Sequence, residues 1–169
     1  MKTLFQCILS LFLAIVSVDS ASAQLFIARA VLEEFYADDD IAADLQAAGY
    51  RKVSPSELPS EIADPMQGMV NYIDENFGDA AKRYYINEST GAVLLYGVEH
   101  SDEAVFLYAV NFFSGNENAV ERIRELFTKN ELNFDYESDG QYVYSDGDDA
   151  GGLVALLANG IVIFAYFEP

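Results

Sequence analysis

Three short runs, Val93-Leu94-Leu95-Tyr96, Val105-Phe106-Leu107-Tyr108 and Ile161-Val162-Ile163-Phe164, are apolar at every position. Successive side chains of a strand point to opposite faces, so a sheet with one wet face reads as an alternation. These runs do not alternate, and they predict strands covered on both sides. The cover has to come from helices, from a second copy of the chain, or from a ligand.

A period of two starts near Lys82. Arg83 to Glu88 and Ala92 to Glu99 flank Ser89-Thr90-Gly91 as a hairpin, and Ala104 to Phe113 follows the polar turn at His100-Ser101-Asp102-Glu103. Ser114 or Asn116 can cap a helix to about Lys129, with Val120, Ile123, Leu126 and Phe127 on one side. Asn133 to Glu137 pairs with Gln141 to Ser145. Leu153 to Ala158 pairs with Ile161 to Phe167 across Asn159-Gly160, a dipeptide suited to a turn with two positive φ angles.

Upstream the period is helical. Ile27, Val31, Leu32 and Phe35 form one stripe within Leu25 to Tyr36. Asp40 can cap a short helix from Ile41 to Ala48 that Gly49 closes. Arg51 to Ala63, with Pro55 and Pro59, reads as a loop, and Asp64-Pro65 opens a helix bearing Met66, Met69, Val70, Ile73 and Phe77. The fold class is therefore α+β. An antiparallel sheet of about six or seven strands, built of hairpins, carries N-terminal helices and one mid-chain helix. Residues 24–169 form one domain, mainly helical over 24–78 and a sheet with one helix over 79–169. These helices suffice for one sheet face and part of the other, leaving the wall of a ligand pocket or a subunit interface. No internal repeat is visible.

Residues 1–23 read as a cleaved signal peptide. Lys2 precedes the apolar run Leu4 to Val18, and Ala21-Ser22-Ala23 supplies a small-residue site with cleavage between Ala23 and Gln24. The expected location is exported, periplasmic or extracellular. Cys7, the one cysteine, falls inside this segment, so the chain after residue 23 has no thiol for a disulfide or a zinc site. The 146 residues that follow are enough for a core burying about two-thirds of the unfolded surface. No later run is long enough to span a membrane as a helix.

The full chain carries 9 basic and 28 acidic residues, a net charge of −19. Loss of Lys2 and Asp19 leaves that balance unchanged. Such a surface sets carboxylate against phosphate and excludes nucleic acid and anionic lipid as partners.

Candidate sites are few. Asp135, Glu137, Asp139 and Asp146, with Gly140, follow the arithmetic of a calcium loop and are the candidate metal ligands for Ca2+. Against this, position twelve is Asp146 rather than a longer Glu, and no helix can follow through Gly147, Gly151 and Gly152. A hairpin turning at Ser138-Asp139-Gly140 accounts for the same residues, with Phe134, Tyr136, Tyr142 and Tyr144 as an aromatic face. The single histidine, His100, sits beside Ser101 and Asp102, but neighbours on one turn cannot align as nucleophile, base and orienter. Asn87-Glu88-Ser89 is an N-glycosylation sequon. No catalytic residue or bound cofactor beyond Ca2+ emerges. The expected function is a non-catalytic binding or interaction module whose aromatic sheet face holds a protein partner, an apolar ligand, or a second copy as a homodimer. The alternative is a carboxylate-dependent hydrolase, cation-assisted, using the acids around Asp135 to Asp149.

Overall fold

A computed structural model describes residues 41–78, 82–100, 105–129, 131–147 and 150–168. The signal segment, Ala23 and Gln24, the helix expected over Leu25 to Tyr36, and Asp148 and Asp149 lie outside the described residues. The chain forms α1 (Ile41–Ala47), β1 (Tyr50–Val53), two 3-10 turns (Pro55–Glu57, Ser60–Ile62) and α2 (Ala63–Phe77). Then come β2 (Arg83–Asn87), β3 (Val93–His100), β4 (Val105–Ser114) and α3 (Glu117–Lys129). It ends with β5 (Asn133–Ser138), β6 (Gln141–Ser145), β7 (Gly151–Leu156) and β8 (Ile161–Glu168). All eight strands form one antiparallel sheet in the order β1-β2-β3-β4-β8-β7-β6-β5.

Two of the three doubly apolar runs are seen covered on both faces. Val93, Leu94, Leu95 and Tyr96 of β3 are all buried, as are Val162 to Ala165 of β8. On one face Leu45 of α1 and Val120, Ile123 and Phe127 of α3 pack against Leu94, Tyr96, Phe113 and Phe164. On the other, Met66 and Ile73 of α2 pack against Val93, Leu95, Val110 and Phe112. We call these the first and second faces.

This order contains a repeat of topology that the sequence does not display. A helix followed by four antiparallel strands occurs twice, α1 with β1–β4 and α3 with β5–β8, and the halves meet where β4 pairs with β8. A two-fold axis normal to the sheet at that seam exchanges β1 with β5, β2 with β6 and β3 with β7. It keeps α1 and α3 on the same face, as observed. The halves differ at one link. In the first, α2 lies between β1 and β2; in the second, β5 and β6 are joined directly by Asp139-Gly140.

Several local expectations change. Tyr50–Val53, read as loop, is an edge strand paired with Asn87 to Tyr84, burying Tyr50 and Val53 while Arg51 and Lys52 face water. It brings the strand count among the described residues to eight. The two hairpin turns exchange mechanisms. Asp139 (φ 52°) and Gly140 (φ 76°) both take the left-handed region, the two-residue turn expected of Asn159-Gly160. At Asn159-Gly160 only Gly160 is left-handed. The Gly160 N–H donates to Leu157 O and the Leu157 N–H to Ile161 O, a three-residue loop ending in a glycine bulge. Asn159 is thereby free to donate through Nδ2 to Glu61 O, pinning the loop to the segment before α2.

Helix α3 starts where Asn116 Oδ1 accepts from the Ala119 N–H. It stops in a Schellman motif, with the Leu132 N–H donating to Phe127 O and the Glu131 N–H to Thr128 O. Glu131 holds φ 69° there, a conformation that disfavours any Cβ, and it places a negative charge at the negative end of the helix. Glu131→Gly should therefore raise stability by about 0.5–1 kcal/mol. A urea midpoint that falls instead would show that the Glu131 side chain holds the cap.

Candidate functional site

Helix α2 covers the second face over the first half and the seam, β8 included, but not over β5–β7. The remaining strip is a half-open groove of about 610 Å³. Its floor follows from strand register. Tyr136, Val143 and Leu153 lie side by side across β5, β6 and β7, and Ser138, Gln141, Ala155 and Ile163 form the next row. The wall is the flank of α2, through Gly68, Met69 and Tyr72. Tyr72 also meets Phe167 of the floor, ring centroids 5.3 Å apart. Two aromatic side chains at its margins remain open to water, Tyr72 at 46 % and Tyr136 at 56 % exposure.

Tyr136 reaches this face because of a bulge. Phe134 pairs with Tyr144 and Tyr136 with Val143, so Asp135 is the extra residue. The bulge shifts the phase of β5 by one, sending Phe134 to the first face and Tyr136 to the second. The single aromatic face expected over Phe134, Tyr136, Tyr142 and Tyr144 is thus divided. The first-face group closes around Arg124 of α3. Its Nε donates to Tyr144 Oη at 3.0 Å, and its guanidinium stacks 4.2 Å from the Tyr142 centroid and 5.9 Å from that of Phe134. The bond to Tyr144 holds the Arg124 pKa above its usual value. This cluster docks α3 onto the sheet and leaves the second face free.

The four carboxylates with calcium-loop spacing are placed as follows. Asp135 occupies the bulge, Glu137 stands opposite Tyr142, and Asp139 sits in the β5–β6 turn. Asp146 begins the loop after β6, at the other end of that strand, where Oδ1 accepts from the Ala150 N–H at 3.1 Å. The length of β6 separates Asp139 from Asp146. Among the described residues no three His, Cys, Asp or Glu side chains gather as a metal cluster. Comparison with protein-family models, with curated proteins and with solved structures finds no match. The chemistry of the site is therefore read from its own groups.

Those groups are apolar with few ionisable members. Among the described residues one carboxylate, Asp139, and no cation line the groove. The polar groups elsewhere serve structure. Tyr85 and Tyr96 stack with hydroxyls 3.5 Å apart, and burial first, then this contact, pushes the Tyr96 hydroxyl well above its ordinary pKa. Glu57 is held below the usual carboxylate range by the Ser54 N–H and then by Arg51, binding the first 3-10 turn to β1. Asn87 is buried; its Nδ2 donates to Ala48 O and its Oδ1 accepts from Ser89. The nitrogen a glycan would need is thus engaged by Ala48 O, just after α1.

Sequence reasoning anticipated a spare apolar face without locating it. Two signals pointed to its wall. Gly68 interrupts a helix at its centre, where glycine costs about 1 kcal/mol relative to alanine. Tyr72 is an aromatic residue off the buried stripe of α2.

Proposed function

We propose that this chain is an exported, non-catalytic binding module whose site is the groove between α2 and the second face of β5–β8. The observation that supports this reading most is an apolar sheet face left half-covered among the described residues, while α1 and α3 pack on the other. Its volume lies in the range of sites that hold small molecules or anchoring side chains. A carboxylate-dependent hydrolase needs two facing acids at one cleft, and the groove offers Asp139 alone. An anionic ligand is disfavoured by the net charge of −19.

The test uses Nile red, an uncharged probe that fluoresces in apolar surroundings. Saturable binding with a blue-shifted emission is expected, lost by about tenfold in Leu153→Lys, which sets a charge on the floor. Emission that never saturates, or that ignores this substitution, would overturn the assignment of the groove.

A further inference from the structure

We propose that the groove is the seat of a partner helix, amphipathic and with a basic polar face. This rests on the reading of the groove as the binding site and adds its occupant.

The symmetry of the fold sets the shape. The two-fold that exchanges the halves carries α2 from the second face of the first half onto the second face of the other half. The groove lies there. The second half lacks an α2 because Asp139-Gly140 joins β5 to β6 with no intervening chain. Among the described residues, what stands empty is a helix position. Its dimensions agree: three strands, β5, β6 and β7, at about 4.8 Å each give a strip of about 14 Å, against about 10–12 Å for a helix with side chains.

The wall is prepared for close helix contact. Gly68 faces the groove, and a Cβ placed there meets no atom within 4 Å. A side chain at that position would stand in the space of an incoming helix, which gives the central glycine of α2 a purpose.

Charge selects the partner. Among the described residues every cation lies away from the groove. Arg51 and Lys52 are on β1 at the opposite edge, and Arg83 stacks on Tyr96 on the first face. Arg122, Arg124 and Lys129 belong to α3, and Lys82 pairs with Asp74. The groove itself offers Asp139, and Asp64 lies one residue before its wall begins at Pro65. A second copy, also at −19, would bring acid against acid. The chain's own stripe at Leu25 to Tyr36 is tied to α1 by four residues, a reach of about 14 Å. Helix α1 packs beside β1, four strand spacings or about 19 Å from β8, on the other side of the sheet. A helix from another protein meets neither objection.

The experiment titrates the whole chain into fluorescein-labelled peptides of fifteen residues, the length of α2. They carry leucines at i, i+3, i+4 and i+7 and either lysine or glutamate elsewhere. The lysine peptide should bind about tenfold or more tightly than its glutamate twin, gain helical circular dichroism on binding, and weaken as salt rises. Leu153→Lys and Gly68→Trp should each reduce its affinity by about tenfold. The tryptophan fills the groove from a helix position that gains in propensity, so loss of folding does not confuse the result. Glu125→Gln on the exposed side of α3 makes the same change in net charge as Leu153→Lys and should alter affinity by less than about twofold. Equal losses in Glu125→Gln and Leu153→Lys would reduce the binding to diffuse attraction and overturn the proposal. So would binding without helix formation, or tighter binding in Leu32→Asp, which would mean the chain's own segment competes for the groove. Saturable Nile red binding without peptide binding would sink the helix and leave the site standing.

Discussion

Phe127→Ala should lower the stability of the protein by about 3–5 kcal/mol, the cost of removing a fully buried aromatic side chain and leaving a cavity. Folded domains have about 5–15 kcal/mol in total, so this one truncation brings the chain near its unfolding threshold. The reason lies in how α3 meets the sheet. Phe127 is 1 % exposed and covers Gly152 of β7, while Tyr144 lies 5.1 Å away by ring centroid. A Cβ on Gly152 would come within 2.8 Å of the Phe127 ring. Gly152→Ala should therefore cost about 1–3 kcal/mol through overpacking. The two changes should not add. With the ring gone the alanine methyl has room, so the double variant should be more stable than the sum by about 0.5 kcal/mol or more. Urea denaturation of the four proteins measures this coupling. Strict additivity would mean that ring and glycine are not in contact.

The second large effect has the opposite sign. Asn111 of β4 is fully buried on the first face, opposite Leu94 and Phe164. Neither its Oδ1 nor its Nδ2 has a hydrogen-bond partner among the described residues. An amide buried in this state costs about 1–3 kcal/mol, and an apolar residue of similar shape is spared that cost. Asn111→Leu should raise stability by about 1–3 kcal/mol. Asn111→Asp separates polarity from size. Burial would raise the folded-state pKa of the new carboxyl above its unfolded value. The folded state then binds more protons, and stability is retained in acid and lost as pH rises from the unfolded pKa through the folded one. Thermal melts across pH give both results. A loss of stability in Asn111→Leu would mean that the amide has a polar partner after all.

How far the fold could be read in the sequence depended on the range of the forces that set each element. Helix α3, β6 and β8 are local: apolar period, an Asn116 cap and flanking turns fix them within a residue or two. β1 is not local. Arg51 and Lys52 between Tyr50 and Val53 give four residues no strand signal of their own, and pairing with β2 makes them a strand. The exchange of turn types has a similar origin. Asn159 has the chemistry for a positive φ, but its tether to Glu61 lies 98 residues away in sequence. The bulge at Asp135 reversed the expected face of Tyr136 because an alternating pattern carries no mark of a skipped residue. For the candidate site, the apolar surplus was legible and its location was not. Gly68 and Tyr72 meet Val143 and Leu153 only once the sheet has brought residues some 70 or more apart in sequence together. The acids at Asp135, Glu137, Asp139 and Asp146 share a spacing but not a place, since a spacing becomes a cluster only if the backbone coils, and β6 is extended.

The seam between β4 and β8 determines how the protein can come apart. β8, the last of the described strands in sequence, occupies the middle of the sheet, with β4 on one side and β7 on the other. Neither half keeps a protected border when alone. Separation would turn β4 or β8 into a long edge, apolar on both faces, that offers its free N–H and C=O groups to any neighbouring strand. Intermediates with one half formed are thus the species most prone to aggregate, and a chain clipped before Ile161 would lose the order of both halves rather than of one. Assembly must wait for β8, and contacts that close across so much sequence close slowly.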